Sequence, residues 1–202
     1  MADGTYPMTM GPEAHSAETA LMERLQRGDA RAFEQLVRSH QHRVFDFCYR
    51  MLGDREEAND IAQDVFISVH QNLAGFRRDA KLTTWIFRIS KNHCLNRIKY
   101  LARRGSRRRE DFDLVDESRL AGALEPPPSP DRGLVAEAEK NQVQAAIAQL
   151  EPEQRLLVAL RDIEGLSYEE IVEITELPVG TVKSRLHRAR ERLAELLGEG
   201  DE

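Results

Sequence analysis

Residues 177–193 read LPVGTVKSRLHRARERL, and there Lys183, Arg185, Arg188, Arg190 and Arg192 alternate with Thr181, Ser184 and His187. Cations interleaved with hydroxyls and an imidazole suit the holding of a polyanion. Lysine and arginine meet phosphate oxygens, and small polar groups hydrogen-bond base edges. A second such set precedes it. Trp85, Phe87, Arg88, Lys91, Asn92, Asn96 and Lys99 mix aromatics, cations and amides. That combination grips single-stranded nucleic acid, cations tracking phosphates while flat groups stack on exposed bases. A third set, Asp60, Gln63 and Asp64, shares one helical face beside Ile61, Val65 and Phe66. Taken alone it reads as the solvated acidic face of a bundle helix.

Other chemistry is poorly provided for. There is no glycine-rich phosphate loop, no nucleophile motif and no cluster of metal-ligand residues, so no catalytic residue, metal or cofactor is expected. His93 and Cys94 are adjacent, and adjacent side chains diverge on a helix, which disfavours a two-ligand site. The two cysteines, Cys48 and Cys94, form no CxxC and imply neither a disulfide framework nor zinc; a reducing cytoplasm fits. Cys48, among Val44, Phe45, Phe47 and Leu52, reads as a small buried hydrophobe. No apolar run approaches the roughly 20 residues of a membrane span, and MADGTYPMTMGPEAHS has neither the basic nor the apolar segment of a signal peptide.

The formal net charge of −6 conceals blocks of opposite sign. Between Phe76 and Arg109 twelve basic residues face the single acid Asp79; between Glu110 and Glu139 nine acids face Arg119 and Arg132. Segregation of this kind speaks to partners and not to fold.

The elements that must position these side chains are helical throughout. From about Glu18 to Arg104, apolar residues recur at helical intervals, with Gly28 and Gly53 as breaks and Asp54 as an N-cap ahead of Glu56 and Glu57. A helix through Ile61, Val65 and Val69 follows. After the polar stretch FRRDAKLT, Thr84 opens another, whose Trp85, Ile86 and Ile89 are expected to fill core. Residues 105–133 turn from basic to acidic and hold four prolines in the five positions 126–130, which excludes a helix there and favours a flexible linker ending in a stiff spacer. From Leu134 the helical pattern resumes. Pro152 sits in a first turn, Ser167-Tyr168-Glu169-Glu170 forms a capping box, and Leu177-Pro178-Val179-Gly180 separates a short helix from a long one. The fold class is all-α: two small helical domains, residues 18–104 and 134–197, with tails at 1–17 and 198–202.

The final helix pair has the proportions of a helix-turn-helix. At about 100° per residue, Val182, Leu186, Ala189, Leu193 and Leu196 face inward, and Ser184, His187, Arg188 and Glu191 face outward with Lys183 at the flank. Thr181 stands at the helix start, where hydroxyl and backbone amides can meet phosphate.

DIEGLSYEEIVEITELPVGTVKSRLHRARERL resembles the −35-reading domain of bacterial sigma factors of the extracytoplasmic-function group. GDARAFEQLVRSHQHRVFDFCYRMLGDREEANDIAQDVFISVHQNLAGF and FRRDAKLTTWIFRISKNHCLNRIK resemble that group's other signature domain, in the same order. The resemblance implies a stress-type sigma factor, not an enzyme. Such a subunit docks on core RNA polymerase, reads the −35 duplex and captures the melting −10 element. It further implies −35 contacts from Thr181, Lys183, Ser184, His187 and Arg188. For −10 it implies Phe76, Arg77, Asp79, Lys81 and Thr84 around a base-capturing loop, with Arg88, Lys91, Asn92 and Asn96 beside it. Asp60, Gln63, Asp64 and Phe66 would dock on the clamp coiled coil of the largest polymerase subunit, with the flap as a further polymerase contact. An anti-sigma factor, often membrane-bound in this group, is the implied regulator. Two competing readings fit less well. A response-regulator activator needs an α/β receiver that the first hundred residues do not suggest. A sigma mimic that titrates an anti-sigma factor would have lost Lys183, Arg188, Arg88 and Lys91.

Overall fold

A computed structural model describes the backbone of residues 12–76, 81–111 and 141–198, and the side chains of 19–76, 81–104 and 141–198. The expected base-loop residues Arg77 and Asp79, the linker beyond Asp111, and the tails before residue 12 and after residue 198 lie outside these described residues.

The first half begins with α1 (Pro12–Gln26), which starts inside the expected tail and buries Met22 and Leu25. Its end is written in local chemistry. Gly28 takes φ +78°, and Asp29 then caps α2 (Ala30–Leu52), accepting from the amides of Arg31 at 2.9 Å and Ala32 at 3.2 Å. Arg24 donates to the same carboxylate at 2.8 Å, and that hydrogen bond, with those from the backbone, holds Asp29 below its usual pKa. Gly53 ends α2 in the left-handed conformation, its amide on the Tyr49 carbonyl, and Asp54 caps α3 (Arg55–Asn72) through the Glu57 amide. A 3₁₀ turn, Leu73–Gly75, leads towards α4 (Leu82–Asp111).

Helices α2, α3 and α4 enclose a core of Leu36, Phe47, Met51, Val65, Ile86 and Phe87. The rings of Phe47 and Phe87 meet edge to face at 5.3 Å. Cys48 and Cys94 lie fully buried with sulfurs 3.7 Å apart. The hydrogen bond to Cys48, together with burial, pushes the Cys94 thiol above its ordinary range, so Cys94 behaves as packing and not as a nucleophile. Helix α4 runs through the basic cluster to Asp111, past Gly105 where the sequence suggested a linker. Arginine is a good helix former, and an isolated glycine costs only about 1 kcal/mol, too little to stop a helix already nucleated by its packed half.

The second half comprises α5 (141–148), α6 (Pro152–Val158), a π-helical turn (Ala159–Ile163), α7 (Tyr168–Thr175) and α8 (Val179–Gly198). In the π-helical turn the Glu164 amide reaches back five residues to the Ala159 carbonyl at 3.0 Å. The capping box at Ser167 is complete: its hydroxyl accepts from the Glu170 amide at 3.2 Å, and the Glu170 carboxylate accepts from the Ser167 amide at 2.8 Å. Glu176, at φ +62°, ends α7 in the left-handed conformation, and the chain turns through Leu177 and Pro178 into α8. No strand occurs among the described residues.

The halves are packed together. Helix α7 lies against α4, and α6 with its π-helical turn lies against α2, so that the buried apolar residues of both halves form one cluster.

Candidate nucleic-acid interface

Helix α8 is fixed by Val182, Leu186 and Ala189, all buried. That anchorage turns Lys183, Ser184, His187 and Arg188 to solvent, with Thr181 half-buried at the first turn. The basic cluster then divides. Arg185 pairs with Glu153, Arg190 pairs with Asp162, and Arg192 pairs with Glu195 at 2.9 Å. Among the described residues Arg188 makes only a long 3.4 Å donation to the Ser184 carbonyl one turn back. Lys183 sits 5.2 Å from the Tyr168 ring, which also carries Arg161 at 4.8 Å, so the aromatic ring aligns a cation from each side of the turn. His187 lies 3.3 Å from Glu191 along the helix. Of the cations quoted from the sequence, Lys183 and Arg188 are thus the two that form no ion pair among the described residues, and they flank Ser184 and His187. A helix presenting such a row from its first turns matches the width of the B-DNA major groove.

The second set is divided by depth. Asn92 and Asn96 are exposed on α4. Phe76 is buried, its ring 4.8 Å from that of Trp85, itself half-buried. Thr84 is fully buried, and its hydroxyl has no partner among the described residues. Phe76 and Thr84 are therefore packed inside and not displayed at the surface. Lys81, Arg88 and Lys91 face α7. Lys81 pairs with Glu170 at 2.9 Å. Arg88 donates to the Glu173 carbonyl at 2.8 Å, and Lys91 to the Ile174 carbonyl at 2.8 Å. Burial lowers the Lys91 pKa, against the pull of Glu176.

The third set lies on α3. Asp60, Gln63 and Asp64 are exposed, and Phe66 is half-buried. Phe66 and Gln63 line a groove between α2 and α3, together with Val37, Phe45 and Ile67. Ile67 is 55% exposed, a large apolar side chain that the core stripe of α3 does not use. Sequence reading missed Ile67 and the α2 wall of this groove. The available signal was an isoleucine off the Ile61–Val65–Val69 stripe.

Among the described residues no group of three His, Cys, Asp or Glu is placed to hold a metal, and no helix is long and apolar enough to cross a membrane.

Two helical modules, the second a helix-turn-helix with an open cationic face, describe a bipartite DNA-binding protein. Comparison narrows the class. The family profile for sigma-70 region 2 matches residues 36–104, and that for sigma-70 region 4 matches residues 140–193. The chain is 40% identical over 181 residues to the RNA polymerase sigma-H factor of Pseudomonas aeruginosa, covering 88% of this chain and 92% of the relative. It is 36% identical over 179 residues to the ECF RNA polymerase sigma-E factor of Escherichia coli K12, covering 87% and 92%. Among solved structures, the sigma factor RpoE in complex with the anti-sigma factor NepR from Bartonella quintana aligns with a TM-score of 0.60 and 27% identity, over 82% of this chain and 96% of that one. CnrH in complex with the cytosolic domain of CnrY shares the fold, with a TM-score of 0.65, 24% identity and coverage of 92% and 99%. The chain belongs to the ECF RNA polymerase sigma factors of the sigma-70 family. Its function is promoter-specific initiation of transcription on core RNA polymerase.

Proposed function

We propose a division of that function among named residues. Helix α8 reads the −35 duplex: Thr181 meets phosphate at the helix start, while Lys183, Ser184, His187 and Arg188 enter the major groove. The observation that carries this is the partition of the α8 arginines, which leaves Lys183 and Arg188 of the outward row without an ion pair among the described residues, Lys183 acting on Glu169 through its charge alone. Lys81, Arg88, Lys91, Asn92 and Asn96 hold the displaced −10 strand, with Arg77 and Asp79 in the loop that receives a base. Phe76 and Thr84, both buried, serve this face by packing and not by contact with DNA. Unstacking a base costs a few kcal/mol, and a preformed pocket lowers that cost without ATP. The α2–α3 groove with Asp60, Gln63, Asp64 and Phe66 docks on the polymerase clamp coiled coil. Apolar Phe66 and Ile67 supply burial, and the rim charges supply register.

Two weak DNA-binding modules become one strong binder when polymerase fixes their separation, which is an effective-concentration effect. The protein itself catalyses nothing, acts in the cytoplasm, and is restrained by an anti-sigma factor that covers its polymerase-docking faces. RpoE bound to NepR is the relative that supports this last assignment. The test is run-off transcription with purified core polymerase over a library of promoter sequences. Selective transcripts are expected. Silence across the library, with an anti-sigma factor still bound, favours a titrating mimic instead.

A further inference from the structure

The far end of α4 carries cations that its own helix does not neutralise. Lys99, Arg103 and Arg104 are exposed, and none forms an ion pair among the described residues. Arg97, by contrast, is held by Glu57 of α3 at 2.7 Å. Along α4 no acid occurs before Glu110, so the opposite-charge pairs that stabilise a helix surface at a spacing of four residues cannot form around these three. The spacing sets like charges together instead: Lys99 with Arg103, Arg103 with Arg107, and Arg104 with Arg108. Like charges so placed destabilise a helix. The helix dipole does not account for them either. Its pull on cations fades within the last turn, and Arg104 precedes the end of α4 at Asp111 by almost two turns. Such an array is uncompensated within the helix and calls for an anion from outside it.

Its place on the helix narrows the anion. At about 100° per residue, Lys99 and Arg103 fall within roughly 40° of the line through Asn92 and Asn96, and Tyr100 and Arg104 flank that line on one side. The buried Cys94 faces the opposite way. Tyr100 is 51% exposed, and the Arg97 guanidinium stands 5.2 Å from its ring, which leaves a phenol hydroxyl on a side chain the core does not use. The face that carries Asn92 and Asn96 therefore continues without interruption, changing from amides to cations. From Asn96 to Arg104 the helix rises about 12 Å, the length of three to four base pairs of duplex at about 3.4 Å each. In chain order this end of α4 leads to the module that reads −35, so it points upstream, where the promoter is still double-stranded.

We propose that Lys99, Arg103 and Arg104, with the Tyr100 hydroxyl, form a separate site for the phosphates of duplex DNA immediately upstream of the −10 element. The proposal rests on the −10 assignment of Asn92 and Asn96. Contacts to phosphate position a protein on the duplex and carry no base information, so this site sets the register of α4 on the promoter and leaves its sequence preference to the two reading faces.

The test uses holoenzyme assembled from core polymerase and the full-length chain, and measures its affinity for a promoter fragment at a series of salt concentrations. Each phosphate contact contributes about 0.9 to the slope of log affinity against log salt. The triple variant Lys99→Ala/Arg103→Ala/Arg104→Ala is expected to flatten that slope by about 2.7, so that between about 50 and 200 mM salt it loses about fortyfold less affinity than wild type. Hydroxyl-radical footprinting should show backbone protection lost just upstream of −10 and kept at −10 and −35. The charge-conserving variant Lys99→Arg/Arg103→Lys/Arg104→Lys should keep both the slope and the footprint. All three positions are exposed and alanine is a good helix former, so the melting temperature of the alanine variant should not fall. An unchanged slope, or protection lost at −10 or −35 instead, overturns the proposal. So does a fall in core-polymerase affinity, which would make the partner of these cations a protein surface. If wild-type holoenzyme forms no sequence-selective complex, the −10 reading itself has failed and this site falls with it.

Discussion

Truncating Arg188 separates recognition from stability because its side chain is almost unused within the protein. It is exposed and makes a single 3.4 Å donation to Ser184, so Arg188→Ala is expected to shift folding stability by no more than about 0.5 kcal/mol. A bidentate arginine–guanine contact discriminates by about 1–3 kcal/mol, which corresponds to about a five- to 150-fold loss of −35-dependent initiation. Arg185→Ala is the control from the same helix. Arg185 is paired with Glu153 and turned aside from the reading face; an exposed pair of this kind is worth about 0–1 kcal/mol, and its loss should leave initiation near wild type. The assay is run-off transcription on a promoter with its −35 element intact and on one with that element scrambled, alongside core-polymerase competition binding. Arg188→Ala should collapse the ratio between the two promoters while core binding is unchanged. Equal effects of the two substitutions, or loss of core binding with Arg188→Ala, would refute the division of the α8 cations.

Ser167→Ala removes the N-cap of α7 and the acceptor of the Glu170 amide, for an expected cost of about 0.5–2 kcal/mol in a denaturant melt followed by circular dichroism. Ile67→Glu places a charge in the α2–α3 groove at an exposed position; the melting temperature should hold while core-polymerase affinity falls at least tenfold, as about 1.4 kcal/mol of lost burial requires. Asp29 titrates below its ordinary 3.8 because Arg24 and the α2 amides bind its charged form. A lowered folded-state pKa means stability present above the unfolded value and lost as pH falls through the folded one. The Tm difference between wild type and Asp29→Ala should therefore be full at neutral pH and shrink as pH falls below about 4. A difference independent of pH would contradict the assignment.

What the sequence made readable was local. Gly53-Asp54, the Ser167–Glu170 box and the break at Leu177–Pro178 each act within a few residues, and each boundary lies where its chemistry dictates. The face of α8 was equally readable from its 3.6-residue period. Three things were not. Arg185 and Arg190 could not be told from Arg188, because their partners Glu153 and Asp162 lie 32 and 28 residues away. The Arg43–Glu164 pair spans 121 residues, and nothing in a linear pattern reveals a contact of that separation. Thr84 and Phe76 carry types suited to DNA contact, yet packing against Trp85 and the α4 core takes them inside. The resemblance set both around the base-capturing loop, and tertiary packing buries both.

Sequencing the initiating templates selected from a randomised promoter library, with core polymerase in the presence and absence of this chain, tests the central claim most directly. Two short conserved blocks at a fixed separation should appear only with the chain present, and Arg188→Ala should blur the upstream block alone. A single block, or the same templates without the chain, would contradict a two-module reader of promoter DNA.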